Sequence, residues 1–484
     1  MAMADSCKTS RMMHRRVAGQ GAFLMSGFAA SQAMSFGRNA MLGHMLAKGD
    51  FGIAAILTLL LQLLDNLTDL GVDRLIVQAH DGGQARFIAT NHMALIVRGI
   101  VIAVVLLVGS VPIAAFFAVP DAAAPIAALS LVPLIKGFQH LDARRAQRHL
   151  DNRPFLWIEV LPQAVALALT WPVVKAIPDF HAVVVLSVAQ AVTGTLVSHG
   201  MANRRYRVAF DPAIIRRLVE FGWPIWLSAF PLVAVYYGDR IVIGRMIGIE
   251  ALAGYSAAFM VAMVPGLIAA KVGQSLMLPL FATARGDDAL LTRRFAAMTE
   301  ATTLLAAIYL ATAMLLGSTL LQIAFGPNFA GLGGVMAWLA AMWSVRMLQA
   351  VPGMVLLSVG ETRPFLIAGC IRAAALFPAI VVAAFGYGLE AVAAMGFAGE
   401  VASLAYVSGR MDAQVSGLTR VFVRRVAFLL PAALTAAGAL AVAGGPDDMA
   451  LRGIGLVVTL AVIALFAATG MPETRNRLQT AARV

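Results

Sequence analysis

Long apolar segments separated by short polar turns run through nearly the whole of this 484-residue chain. An α-helix needs about 20 apolar residues to cross the hydrocarbon core of a bilayer. The chain is 60% hydrophobic and 13% charged, whereas soluble domains are about a quarter charged, so a soluble globular protein is excluded. We predict an all-α integral membrane protein with about 14 transmembrane helices. The predicted spans are 18–37, 51–76, 87–109, 113–135, 155–174, 180–199, 222–247, 251–281, 295–323, 331–359, 364–386, 388–409, 424–443 and 451–470.

Cations are distributed unevenly among the predicted loops. Lys and Arg total 37 against 25 Asp and Glu, which gives a net charge of +12. In a soluble protein this excess would indicate nucleic-acid binding. Here most of the cations fall in the loops on the side that holds both termini, and cytoplasmic loops are the ones that collect Lys and Arg. We therefore predict cytoplasmic termini, membrane lipids as the surroundings and no nucleic-acid partner.

Residue patterns for metal, redox or nucleotide chemistry are not apparent in the sequence. The two cysteines, Cys7 and Cys370, are far apart, and the eight histidines are scattered. No Gly-rich phosphate-binding loop with a Lys-Ser/Thr pair occurs. We expect no cofactor, no metal site and no direct ATP hydrolysis.

The first two predicted helices and the seventh and eighth begin with a similar hairpin. Gly52 and Gly71 have counterparts in Gly254 and Gly273 at one constant offset. This offset spans an even number of helices, so the two halves share one orientation. We predict two pseudo-symmetric six-helix lobes followed by two extra helices; the alternative is chance similarity among Gly-rich membrane helices. The predicted segments are a cytoplasmic tail at 1–17, an N-lobe at 18–217, a C-lobe at 218–423, and the extra helices with a cytoplasmic tail at 424–484.

The residues of this hairpin resemble a known family. Residues 46–52 (LAKGDFG), 68–71 (TDLG) and 76–78 (IVQ) resemble the first hairpin of the Wzx-type lipid-linked oligosaccharide flippases. These proteins belong to the multidrug/oligosaccharidyl-lipid/polysaccharide exporter superfamily. Residues 238–245 (GDRIVIGR) and 254–258 (GYSAA) are similar to the seventh and eighth helices of the same family.

The resemblance implies a transporter of the bacterial inner membrane and not an enzyme. It implies that a polyprenyl-pyrophosphate-linked glycan is moved from the cytoplasmic to the periplasmic leaflet by alternating access of two lobes. The pathway would be exopolysaccharide, O-antigen or capsule biosynthesis, with a polysaccharide polymerase and glycosyltransferases as partners. Coupling to H⁺ or Na⁺ is also expected.

Cations inside the predicted spans are candidates for substrate binding, because an ionisable residue at mid-bilayer depth costs about 2.5–3.5 kcal/mol on insertion scales. Arg346 is near the middle of its span and cannot reach the interface. For Arg38 and Arg240 the alternative is snorkelling to the interface, and for Arg98 and Arg372 snorkelling is the favoured interpretation. The cations expected to attract pyrophosphate or acidic sugars are Lys271, Arg346, Arg38 and Arg240.

Acids inside the spans are candidates for gating or ion coupling. Asp65 and Asp69 are four residues apart and share one helical face. Lys271 occupies the repeat position equivalent to Asp69, so the two are expected to approach each other; the alternative is a fixed ion pair that only makes the helices insertable. Glu159 and Glu300 lie near cytoplasmic helix ends and are expected to be solvated. The predicted gating or coupling acids are Asp65, Asp69, Asp239 and Glu400.

Three other functions remain open at this point. A cation-coupled multidrug exporter of the same superfamily would favour acidic and aromatic cavity residues over cations. A peptidoglycan-precursor flippase is the second alternative. An integral-membrane polysaccharide polymerase or ligase is the third, and the short non-cytoplasmic loops disfavour it because such enzymes usually hold their acceptor in a large outer loop.

Overall fold

In a computed structural model the described residues are 26–149, 151–443 and 449–471, and these ranges contain helices and no strand. Twelve of the helices are long and apolar enough to cross a membrane, and the number is 13 if one bent pair counts as a span. The predicted all-α membrane fold is confirmed. The first predicted span begins outside the described residues, and its described part belongs to a helix over 26–45, named α1.

The chain divides into two compact units, Met1–Val233 and Ala234–Val484. The division lies inside α10 (Pro212–Met246), whereas the sequence places the lobe boundary after residue 217; the lobes themselves stay a prediction. The remaining helices of unit 1 are α2 (Lys48–Leu67), α3 (Val72–Gln78), α4 (Ala85–Phe116), α5 (Ala123–Ala128), α6 (Leu131–Gly137), α7 (Asp142–Arg148), α8 (Arg153–Ala176) and α9 (His181–Gly200).

The second predicted span is interrupted in the structure. α2 ends at Leu67 and α3 begins at Val72, because Gly71 has a φ of 69° that L side chains rarely adopt. The Asp69 carboxylate accepts a hydrogen bond of 2.8 Å from the Gly71 N–H and so satisfies one donor at this break. The break places the carboxylates of the α2 end at the side of a cavity described below.

The third and fourth predicted spans are divided differently from the expectation. α4 continues through Pro112 to Phe116, because a long apolar helix in lipid keeps its other backbone groups paired when one hydrogen bond is lost. The fourth span is a broken helix over Pro120–Gly137, and it is bent by 49° relative to α7. The predicted boundary between residues 109 and 113 is therefore wrong.

Unit 2 is built around a central buried helix. α13 is the most buried of the candidate spans and packs against α11, α12 and α16. A charged side chain on α13 therefore has to find its partners inside the unit. The helices of unit 2 after α10 are α11 (Ile249–Ala282), α12 (Asp288–Phe325), α13 (Gly333–Ser358), α14 (Arg363–Ala374), α15 (Leu376–Ala384), α16 (Leu389–Gln414), α17 (Leu418–Val426), α18 (Leu429–Ala443) and α19 (Met449–Gly470).

Helices α4 and α6 approach each other closely at two glycines. A β-carbon at Gly99 would lie 2.5 Å from the Pro133 carbonyl oxygen, and one at Gly137 would lie 3.1 Å from the Leu95 carbonyl oxygen. Small residues allow such contact between the backbones of membrane helices. The approach brings together the side chains next to the two glycines, which are Arg98 and Lys136.

We expect Gly99→Ala to destabilise the protein by about 1–3 kcal/mol, because the added methyl group overlaps backbone that cannot move aside. The measurement is thermal unfolding of the purified protein in detergent. Gly109→Ala on the same helix is the control: its β-carbon would meet the flexible end of the Ile113 side chain, at 3.1 Å. Equal unfolding temperatures for the two variants would contradict the close approach.

Candidate functional site

Unit 1 contains a polar cavity of about 500 Å³. Its charged lining consists of four acids and three bases. The acids lie on α2, α3, the turn between these two helices, and α8, and the bases lie on α4, α6 and α7. The charged lining residues are Asp65, Asp69, Asp73, Glu159, Arg98, Lys136 and Arg144.

Asp65 holds two of the three cations of this cavity. Its carboxylate oxygens lie 3.0 Å from the Lys136 Nζ and 3.4 Å from an Arg98 guanidinium nitrogen. Arg98 also donates to the Asp65 carbonyl oxygen at 2.6 Å and to the Thr68 hydroxyl at 3.0 Å. One carboxylate thus neutralises cations from two neighbouring helices.

The two other acids at this side of the cavity also have cationic partners. Asp73 pairs with Arg144, whose guanidinium lies 2.7 Å from the carboxylate and 4.3 Å from the centre of the Phe155 ring. Asp69 lies 3.7 Å from Arg74. The predicted meeting of Asp69 with Lys271 stays a prediction, since the side chain of Lys271 lies outside the described residues.

Arg38 contacts the same cavity indirectly. Its guanidinium donates a hydrogen bond of 2.8 Å to the side-chain oxygen of Gln190 on α9, and Gln190 lines the cavity. The Arg38 guanidinium therefore points to Gln190 within unit 1. Asp65, Asp69 and Arg38 lie at or beside one cavity.

Unit 2 contains a buried ion-pair cluster on α13, α14 and α16. Glu400 is 2% exposed and accepts hydrogen bonds from Arg346, one of them at 2.9 Å from the Arg346 Nε. Its other oxygen lies 3.8 Å from an Arg372 guanidinium nitrogen. The Arg346 guanidinium also lies 4.5 Å from the centre of the Trp343 ring. Because the cations outnumber the carboxylate, this part of the unit is electropositive.

Asp239 and Arg240 extend the cluster on α10. The Asp239 carboxylate accepts hydrogen bonds from the Tyr255 hydroxyl at 2.6 Å and from the Arg240 backbone N–H at 2.7 Å. The Arg240 guanidinium donates to the Tyr236 carbonyl oxygen and lies 4.6 Å from the centre of the Phe259 ring. Both side chains are thus held within unit 2.

A small cavity of about 40 Å³ lies between the charged groups of unit 2. Asp239, Arg346, Arg372 and Glu400 line it. One Arg346 guanidinium nitrogen, Nη1, is buried and makes no hydrogen bond. The volume suits water molecules or a small ion and is far below the roughly 300–1,000 Å³ of ordinary ligand sites.

Two arginines and one acid differ from the sequence expectation. Arg98 and Arg372 were expected to snorkel, but each is directed to a carboxylate in its own unit, Asp65 and Glu400 respectively. Glu300 was expected to be solvated; it is fully buried and lies 3.0 Å from the Arg425 Nε. An arginine that can form an ion pair with a nearby carboxylate inside the protein does not need to extend to the membrane–water interface.

The structure brings most of the predicted site residues into two groups. Asp239, Arg346 and Glu400 line the cavity of unit 2, and Asp65 and Asp69 line that of unit 1. Sequence reasoning missed the charged residues that complete the groups, which are Arg98, Lys136, Arg144 and Arg372. In the described part of the chain, no group of three or more His, Cys, Asp or Glu residues is arranged to hold a metal ion.

Comparisons with known proteins give one family and one fold. A protein-family model described as "Polysaccharide biosynthesis protein" matches residues 41–332. No curated protein sequence matches the chain. A structure of the lipid II flippase MurJ in an inward closed conformation has a TM-score of 0.71 at 10% identity, covering 92% of this chain and 98% of MurJ.

Two further structures share the fold. An inward-facing multidrug resistance MATE family transporter of the MOP superfamily has a TM-score of 0.66 at 13% identity, covering 80% of this chain and 96% of the transporter. A MOP superfamily transporter from Pyrococcus furiosus has a TM-score of 0.53 at 14% identity, covering 81% and 94%. At these identities the likeness shows the fold, and the family match confirms the predicted resemblance to polysaccharide exporters.

Proposed function

Since this chain belongs to the polysaccharide biosynthesis protein family, whose model matches more than half of it, we propose that it flips a polyprenyl-pyrophosphate-linked oligosaccharide. The direction is from the cytoplasmic to the periplasmic leaflet of the inner membrane, by alternating access. The observation that carries the proposal is the family match on a chain with the fold of MurJ, a lipid II flippase. Both termini are cytoplasmic in this proposal.

The charge of unit 2 supports an anionic substrate. Arg346 and Arg372 line the cavity with Asp239 and Glu400. Arg240 interacts electrostatically with Asp239 from outside the cavity, so the cluster as a whole has one cation more than it has carboxylates. Arg346 also keeps one buried nitrogen without a hydrogen bond. A pyrophosphate near this cluster would be attracted to it, and more strongly than in water because the surroundings are apolar.

The acids supply the proposed gating and coupling. Asp65 and Glu400 each hold two cations in the described structure. An incoming anion or a coupling H⁺ or Na⁺ competes for one member of such a group and so changes the relative stability of two conformations. Asp69 and Asp239 are assigned the same role.

The proposed substrate also defines the partners. Glycosyltransferases that build a lipid-linked repeat unit in the cytoplasm supply it, and a polysaccharide polymerase uses it on the other side for exopolysaccharide, O-antigen or capsule. The protein in this proposal performs no covalent step.

The proposal is tested in a deletion strain by measuring lipid-linked oligosaccharides and their exposure to a glycan-modifying enzyme restricted to the periplasm. We expect complete repeat units to accumulate while shielded from the enzyme, and the gene to reverse both effects. Unchanged pools with unchanged exposure would overturn the proposal. An essential gene, with lipid II as the shielded lipid, would instead identify a peptidoglycan-precursor flippase, and glycan elongation or transfer by the purified protein would identify a polymerase or ligase.

Lys271→Ala is expected to reduce periplasmic exposure of the glycan by about 10- to 100-fold, because a charge-assisted hydrogen bond contributes about 1.5–3 kcal/mol. The measurement is the same enzymatic assay at matched expression. Arg285→Ala is the control, since Arg285 is an exposed cation of unit 2. An effect of Lys271→Ala no larger than that of the control would remove Lys271 from the site.

A second candidate function is export of cationic drugs. The observation in its favour is the acidic lining of the unit 1 cavity, where four acids face three bases. Drug susceptibility of the deletion strain distinguishes it: a lowered resistance to cationic drugs together with unchanged lipid-linked pools would favour the exporter.

A further inference from the structure

Resting on the proposed function, we infer that the 500 Å³ cavity of unit 1 binds the sugar portion of the substrate by its hydroxyl groups and does not bind the phosphates. The volume lies within the roughly 300–1,000 Å³ of ligand sites. The ligand class is an uncharged, hydroxyl-rich oligosaccharide. Glu159 and Gln163 on α8 are its main hydrogen-bonding partners.

The cations of the cavity are already occupied. Lys136 and Arg98 are held by Asp65, and Arg144 by Asp73. The His140 ring is also engaged at both nitrogens, one with the Arg204 carbonyl oxygen and one with the Asp142 N–H. A phosphate would have to break one of these pairs before it gained a cationic partner.

The charge balance gives phosphate no advantage. The lining has four carboxyl groups and three bases, and Asp69 also pairs with Arg74 outside the lining, so an anion that enters gains no net attraction. Carboxylate oxygens accept hydrogen bonds from the hydroxyl groups of a sugar, and such bonds to a charged group contribute about 1.5–3 kcal/mol each.

Two polar side chains on α8 line the cavity. Glu159 is exposed and makes no hydrogen bond and no ion pair with the rest of the described chain, whereas the Gln163 side-chain oxygen is enclosed and has no donor, so a sugar hydroxyl reaches it when the Gln163 amide turns toward the cavity. The two residues are four apart, so they lie on one helical face, a turn apart. A sugar hydroxyl both donates and accepts and satisfies either group, whereas a fully ionised phosphate has no proton to donate.

The cavity is a poor match for an organic cation. Cationic drugs favour aromatic faces. Among the described lining residues Phe155 is the one phenyl or indole ring, and its face is covered by the Arg144 guanidinium at 4.3 Å. The lining instead supplies side-chain amides, including Gln139 and Gln190, which bond to hydroxyl groups in both directions.

The test uses the full-length protein in lipid nanodiscs and oligosaccharides released by mild acid from the polyprenyl-linked glycans of the host, labelled at the reducing end. We expect saturable binding that falls about tenfold or more in Glu159→Ala and in Gln163→Leu. Gln322→Leu, which removes a half-buried amide of unit 2, is expected to bind as the unchanged protein does. Glu159→Gln and the thermal unfolding temperature of each variant separate loss of binding from loss of folding.

Inorganic pyrophosphate and tetraphenylphosphonium are the competing probes. Glycan binding that is unchanged in both α8 variants overturns the inference. Pyrophosphate binding that is lost on Lys136→Met, or tetraphenylphosphonium binding that is lost on Glu159→Ala, replaces it with a phosphate or cation site. If the protein binds the glycan but the deletion strain shows no translocation defect, the inferred sugar site stands and the proposed flippase function is wrong. The failure of one proposal can therefore be distinguished from the failure of the other.

Discussion

Replacing Glu400 by Ala is expected to lower the free energy of unfolding by about 3–5 kcal/mol, which is the cost of removing one partner of a buried ion pair. Glu400 is 2% exposed and Arg346 is 12% exposed, so Arg346 gains little water in exchange for the lost carboxylate. The measurement is the unfolding midpoint of the purified protein in detergent, together with the periplasmic exposure of the glycan. We expect both to fall.

Glu250→Ala is the matched control, because it removes an exposed acid of the same unit. The triple variant Glu400→Leu, Arg346→Met and Arg372→Met removes Glu400 together with both of its arginine partners. Since apolar residues of similar volume often replace a buried ion pair without loss, this variant is expected to regain stability but not translocation. Equal unfolding midpoints for Glu400→Ala and Glu250→Ala would show that the cluster does not support unit 2.

The cluster of unit 2 has a further consequence for the substrate. Two carboxylates and two arginines line a cavity of only about 40 Å³. That volume admits no sugar, so attraction of pyrophosphate by Arg346 requires Glu400 to give up part of its contact. Binding and a change of conformation are then coupled, since the same guanidinium takes part in both.

The apolar segments were enough to predict the class of fold, because a span of about 20 apolar residues has one stable arrangement in lipid. They did not predict the breaks. A left-handed Gly71 divides the second span, and α4 passes through Pro112 without ending. Breaks depend on local backbone conformation, which hydropathy does not report.

Pairing of the intramembrane charges was harder to predict, since it depends on which helices approach each other. Gly99 and Gly137 bring Arg98 and Lys136 to the carboxylate of Asp65. In unit 2, a β-carbon at Gly399, the neighbour of Glu400, would lie 2.5 Å from the β-carbon of Ala375. A glycine beside a charge in an apolar span thus marks a helix that can approach a partner closely. That signal is present in the sequence and would have pointed to Arg98 and Lys136.

Asp65→Asn is expected to reduce translocation by about tenfold, or about 1.4 kcal/mol, while changing stability by no more than about 1 kcal/mol. Its ion pairs are partly exposed, with 39% of the Asp65 side chain accessible, so they contribute little to folding. The effect on transport has another cause. Lys136 lies close enough to Glu159 to interact electrostatically. When Asp65 no longer holds it, the Lys136 ammonium group would pair with the Glu159 carboxylate, which the inferred sugar site needs as a hydrogen-bond acceptor.

The double variant Asp65→Asn with Lys136→Met separates these causes, because it removes the released cation together with its partner. We expect it to regain part of the periplasmic exposure that Asp65→Asn loses, at matched expression. Asp121→Asn, at an exposed turn of the same unit, is expected to behave as the unchanged protein. A double variant as defective as Asp65→Asn would mean that the Asp65 carboxylate acts on the substrate or the gate directly, and not by keeping Lys136 away from Glu159.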